Sequence, residues 1–147
     1  KQNSYRTKHL NEWVGAKTAW MNMAAWQRQL KTVGDSGRPI TMADCAHLPC
    51  IMSADLASKK DVAAVDTTFI DGSQYISFKK FFAPEAAAEE NPKYYDFVAA
   101  GVLELTDGNM IDQEHIEAYI EQQNRDFNVQ EVAFDEWQAD YMMVRLQ

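Results

Sequence analysis

Two aspartates stand where short apolar runs end. Asp55 closes Cys50-Ile51-Met52-Ser53-Ala54, and Asp135 follows Val132-Ala133-Phe134. Each run reads as a buried strand, so each acid falls where an ordered sheet meets solvent. Carboxylates on rigid strand ends are hard oxygen donors, suited to Mg²⁺ or Mn²⁺. Two of them converging on one place could hold a divalent metal ion. Only a fold that sets two distant strand ends side by side makes them a pair. A strand-end aspartate is more often a turn acid or a helix cap, so the residues alone leave both roles open.

Other candidates are weaker. Asp61 opens the next strand and reads as a solvated turn acid. Asp140 falls on the last helix, turned away from Asp135, and is not taken as a ligand. Lys59-Lys60 lie in the turn beside Asp55 and could meet a phosphate, though a lysine pair in a turn is ordinarily soluble surface. His9, His47 and His115 are scattered and read as structural or surface groups, with no zinc spacing. No Ser or Cys stands beside a base in a nucleophilic arrangement.

The elements that must position the acids follow from the pattern. Strand one runs from Cys50 to Leu56, strand two from Val62 to Ile70 and strand three from Gln74 to Phe82. Asp71-Gly72 is a tight hairpin signal between the last two. In strand three, Ile76, Phe78 and Phe82 alternate against Ser77 and Lys79, the signature of a half-buried antiparallel strand. Pro84 to Pro92 is a short helix or an acidic loop. Lys93 to Ala100 is a helix closed by Gly101, and Val102 to Thr106 is a short strand. Asp112 caps a further helix along which Ile116, Tyr119, Ile120 and Phe127 share a side, with Asn128 at its end. Val129 to Phe134 is strand four, entered from a helix and so parallel to strand one. A last helix begins at Glu136 and runs to Leu146. Three meandering strands, a helix and then a parallel strand make the ribonuclease-H-like order. The expected fold is therefore an α/β mixed sheet, three antiparallel strands plus a parallel one, flanked by helices.

Upstream, Met21 to Leu30 favours helix, and Thr41 to Asp44 fits a short helix with Thr41 as cap. The loop Val33-Gly34-Asp35-Ser36-Gly37-Arg38-Pro39 marks a boundary. Residues 1–38 then form a helical arm, and residues 39–147 the ribonuclease-H-like domain. The chain has 147 residues, 46% of them hydrophobic, which supports one packed domain. Its net charge is −8, which disfavours a simple DNA-binding module, because phosphate binding rests on Lys and Arg. Bound divalent ions would invert that local charge. Cys45 and Cys50 read as free thiols in a reducing compartment. No apolar run reaches the roughly 18 residues of a membrane span. The polar opening without Met suggests a piece of something longer.

Four segments carry a family resemblance. Leu10-Asn11-Glu12-Trp13-Val14 with Trp20 to Trp26 is similar to the linker leaving the ATPase domain of the large terminase subunit of tailed bacteriophages, in the HK97-type branch. Ala54-Asp55-Leu56-Ala57-Ser58 with Asp61 resembles the first strand of that family's nuclease domain. Gly101-Val102-Leu103-Glu104-Leu105-Thr106-Asp107-Gly108-Asn109-Met110-Ile111-Asp112 resembles its G-L-L-x-x-T-x-G-N-x-I-D segment. Phe134-Asp135-Glu136-Trp137-Gln138-Ala139 resembles its Y-D-R-W-x-A segment.

The resemblance implies a metal-dependent endonuclease module of a DNA-packaging motor from a phage or prophage. Asp55 and Asp135 would be both catalytic residues and ligands of two Mg²⁺ or Mn²⁺ ions. It implies double-stranded DNA as substrate, the small terminase subunit and the portal or procapsid as partners, no membrane, and the cytoplasm of a bacterial host. No G-x-x-x-x-G-K-[ST] loop occurs in these residues, so no ATP site is assigned to them. The family's third acid has no counterpart up to Gln147. That leaves a rival reading, a catalytically incomplete prophage remnant serving at most assembly or DNA and portal contacts. Another ribonuclease-H-like enzyme, a resolvase or transposase core, fits the tryptophan-rich arm and Gly108-Asn109 less well.

Overall fold

The computed structural model describes residues 23–29, 32–33, 37–57 and 61–134. The chain divides into two compact units, Lys1–Thr41 and Met42–Gln147. In the first, helix α1 (Met23–Gln27) lies within the helix expected from Met21 to Leu30. Strands β1 (Thr32–Val33) and β2 (Arg38–Pro39) pair antiparallel. Gly37, with φ 65°, takes the left-handed conformation in the turn before β2. Trp26 is exposed; Trp13, Trp20 and Leu30 lie outside the described residues.

The second unit opens with a 3₁₀ turn, Met42–Cys45, in place of the expected α-helical turn. Three strands follow: β3 (Pro49–Asp55), β4 (Ala63–Asp71) and β5 (Gln74–Pro84). They meander antiparallel, and Asp71 pairs with Gln74 across a two-residue turn in which Gly72 has φ 59°. Helices α2 (Glu85–Glu90) and α3 (Tyr94–Ala99) lead to β6 (Leu103–Thr106), and helix α4 (Gln113–Asp126) leads to β7 (Asn128–Phe134). The sheet order is β6-β5-β4-β3-β7, with β6 parallel to β5 and β7 parallel to β3. The short segment at 102–106 thus becomes a full sheet member and adds a second parallel pair.

The two crossovers run in opposite directions along the sheet. If both are right-handed, their helices fall on opposite faces. Burial agrees. Cys50, Met52 and Ala54 of β3 and Ala63, Val65, Thr67 and Phe69 of β4 are buried on one face. There, Ile116 and Ile120 of α4 join Met52, Val65 and Phe82 in the core. Tyr119 meets Phe82 edge-on at 5.8 Å, and Phe127 meets Phe69 at 5.3 Å. Phe127 is the residue linking α4 to β7 rather than part of the helix, and Asn128 begins the strand. Ala83 points the other way and is also buried, with α2, whose Ala87 and Ala88 are buried, packed on β5 and β6. Over β3 and β4 this second face is more open: Ile51, Ser53 and Asp55 are exposed, and Ala64, Asp66 and Thr68 half-buried.

Local chemistry explains the ends of α4. The Asp112 side chain accepts from the Glu114 N–H at 2.9 Å, as an N-cap should. The Thr106 hydroxyl accepts from the Asp112 N–H at 3.2 Å, tying the end of β6 to the start of the helix. Gly101, with φ 74°, turns the chain from α3 into β6.

Candidate functional site

The C-terminal ends of β3 and β7 lie side by side. Their parallel register runs Ile51↔Glu131, Met52↔Val132, Ser53↔Ala133 and Ala54↔Phe134. Earlier in the pair the register is one residue different, Pro49↔Asn128 and Cys50↔Val129, so Gln130 is the extra residue of a bulge. Gln130 Nε2 donates to Asn128 Oδ1 at 2.7 Å and to the Asn128 carbonyl at 3.3 Å. The bulge turns Val132 and Phe134 toward the core cluster that they partly join. The last described pair, Ala54↔Phe134, comes one residue before an aspartate in each segment of the sequence. Asp55 is the exposed last residue of β3. Asp135 lies outside the described residues, as do Asp140, His9, Lys59-Lys60 and the expected helix from Glu136 to Leu146. Asp61 is exposed.

Alternation puts Asp55 on the open face. One row back along the strands, Ser53 pairs with Asp66, and Asp66 pairs with Lys79. A further row brings Thr68 opposite Ser77. The Asp66, Thr68, Ser77 and Lys79 side chains form one network. Ser77 Oγ donates to Asp66 Oδ1 at 2.5 Å, and Thr68 Oγ1 donates to Asp66 Oδ2 at 3.3 Å. Lys79 Nζ donates to Ser77 Oγ at 2.9 Å and stands 3.6 Å from Asp66 Oδ2. No short motif in the sequence marks this network. Its signal was the Asp71-Gly72 hairpin, which fixes every pair between β4 and β5.

A second polar cluster sits on the α4 side. Glu104 of β6 receives Lys80 of β5 at 3.4 Å and His115 of α4 at 3.0 Å. Partial burial pushes the Glu104 carboxyl up, but the hydrogen bond from His115 and the Lys80 charge outweigh it and hold it below its usual range. The hydrogen bond to Glu104, opposed by slight burial and helped by the charges of Glu104, Asp112 and Asp107, raises His115. Burial raises the Cys50 thiol, so it is a poor nucleophile; Cys45 is buried too.

Asp55 offers two hard carboxylate oxygens at an exposed strand end, which fits Mg²⁺ or Mn²⁺ chemistry. Among the described residues, no group of three or more His, Cys, Asp and Glu side chains is placed to hold a metal. Among them, too, no helix is long and apolar enough to cross a membrane.

A five-stranded sheet mixing parallel and antiparallel pairs, with helices around it, is a ribonuclease-H-like architecture. The family described as "Terminase large subunit, endonuclease domain" matches residues 1–147, and the chain belongs to it. Protein YmfN of Escherichia coli (strain K12) is 31% identical over 128 residues, spanning 78% of this chain and 27% of that protein. The large terminase subunit of Enterobacteria phage HK97 is 24% identical over 151 residues, covering 95% of this chain and 27% of that one. The crystal structure of the HK97 bacteriophage large terminase superimposes with a TM-score of 0.66 at 23% identity, over 95% of this chain and 28% of that one; this likeness bears on the fold alone. The chain spans about a quarter of the length of each of these relatives.

Proposed function

We propose that this chain is the endonuclease module of a DNA-packaging terminase large subunit, and that Asp55 and Asp135 are its metal ligands and catalytic carboxylates. One observation carries the reading. The last described pair of β3 and β7 is Ala54↔Phe134, and the next residue in sequence after each is an aspartate. An aspartate following in sequence each member of the last described pair of two neighbouring parallel strands supports a shared role over two independent turn acids. Two Mg²⁺ or Mn²⁺ ions bound there would supply an activated water and steady the leaving oxygen of the phosphodiester. The chain's own part is to hold the carboxylates rigidly. Asp55 is paired with Ala64 of β4, and Ala54 before it is paired on both sides of β3; a ligand carried by a paired strand is placed more precisely than one on a loop.

Within the whole protein, double-stranded DNA is the substrate, and the small terminase subunit and the portal or procapsid are partners. Residues 1–38 join the module to an ATPase domain, in the cytoplasm of a bacterial host carrying the phage or prophage. The test is calorimetric titration of Mn²⁺ into the chain and into Asp55→Asn and Asp135→Asn. Saturable binding lost in each variant supports a shared site. Binding that survives both substitutions sinks it. Cleavage by the whole protein should fall by several orders of magnitude in Asp55→Ala, and unchanged cleavage would favour a catalytically incomplete remnant.

A further inference from the structure

We infer that Lys79 is a phosphate-contacting residue of this site, gripping the DNA strand a few nucleotides from the bond at Asp55. The inference rests on the function proposed above. Its ground is the sheet register. Asp55 pairs with Ala64, and the row behind it is Ser53–Asp66–Lys79. Lys79 therefore stands two strands across and two residues back from Asp55, on the same face. Strand spacing and rise put their Cα atoms roughly 12 Å apart. That is the distance over which a DNA strand, rising about 3.4 Å per phosphate, presents a few successive phosphates.

Charge singles this residue out. Among the described strand residues of the sheet, Lys79 and Lys80 are the only cations. Lys80 faces α4 and is held by Glu104 at 3.4 Å. Lys79 alone points to the face that carries Asp55. Its surroundings aim it without neutralising it closely. The shorter contact is to the Ser77 hydroxyl at 2.9 Å, and Asp66 is farther, at 3.6 Å. Asp66 is occupied chiefly by the Ser77 and Thr68 hydroxyls. The lysine side chain remains 52% exposed, so its ammonium keeps donors for a ligand. In a chain of net charge −8, Lys79 is thus the one cation that the described strand residues present on the acid-bearing face. It is what an anionic substrate lying across that face requires.

The experiment measures binding of a short fluorescein-labelled DNA duplex by anisotropy over a range of salt. It is run in Ca²⁺, whose loose coordination is ill suited to cleavage. The full chain is compared with Lys79→Gln and Lys79→Arg, with melting curves to confirm folding. Loss of one phosphate contact should weaken binding several-fold in Lys79→Gln and make the log–log salt slope shallower by about 0.9. Lys79→Arg, which keeps the charge, should bind like the unmodified chain. Unchanged affinity and slope in Lys79→Gln overturn the inference, as does absence of DNA binding by the unmodified chain. Mn²⁺ titration of the same samples separates the two ideas. Mn²⁺ binding that still depends on Asp55, beside an indifferent Lys79, removes only the lysine's role. No Mn²⁺ binding in the unmodified chain removes the underlying function as well.

Discussion

His115 and Glu104 make a contact whose strength follows pH, and the sign comes from both partners. The histidine is raised in the folded protein, so its contribution is complete below the unfolded value of about 6.5 and drains away as pH rises through the folded value. The glutamate is lowered, so its contribution holds above the unfolded value of about 4.3 and fails only as pH falls through the folded one. The contact is therefore strongest between those two reference values. The side chains are 46% and 40% exposed, which keeps the effect small through solvent screening. The melting temperature of the unmodified chain should exceed that of His115→Gln by more near pH ~5.5 than near pH ~8. An equal gap at both would show that the imidazole charge contributes nothing. From the sequence, His115 was legible only as a surface or structural group. Its partner sits on another element, and side chains from a helix and an edge strand meet only once the chain has folded.

At the scale of elements, the bulge at Gln130 decides the most. Without it the register set by Cys50↔Val129 would continue, and Val132 and Phe134 would face away from the core they now partly join. A one-residue slip in a strand sends every side chain to the other face. Inserting one residue between Glu131 and Val132 should therefore cost about 2–4 kcal/mol, from turning two partly buried side chains to the other face. It should also abolish Mn²⁺ binding by moving the acids out of step. Chemical denaturation and the same titration check both. An insertion variant that still binds Mn²⁺ normally would mean that the register of β7 does not set the site. The strands themselves were legible, because apolar alternation and the Asp71-Gly72 turn are local signals. The bulge was not, since nothing in Asn128-Val129-Gln130-Glu131 distinguishes an extra residue from a regular one.

For the whole molecule, electrostatics sets the terms of any encounter with DNA. A net charge of −8 repels phosphate. Asp55 adds to that repulsion unless cations offset it. DNA binding by this chain should thus depend on divalent metal: chelation with EDTA at constant ionic strength should weaken it at least tenfold in the anisotropy assay. Binding that is indifferent to EDTA would place the DNA elsewhere on the surface. Composition alone pointed away from nucleic acid. Under the proposed function, divalent ions held at Asp55 and Asp135, with Lys79 on the Asp55 face, would offset the repulsion between an acidic chain and DNA.

Hydrophobic periodicity and turn chemistry act over a few residues, so the strands, the capped helix at Asp112 and the antiparallel hairpin could be read directly from the order of amino acids. The family resemblance likewise lay in short runs around Asp55, Asp107-Gly108-Asn109 and Asp135. Long-range facts could not be read this way. The parallel seat of β6 beside β5, the bulge that phases β7 against β3, the Lys80–Glu104–His115 contact and the face shared by Lys79 and Asp55 all join residues distant in the chain. They depend on which surfaces bury best against one another, and that free-energy balance is struck only in the folded whole.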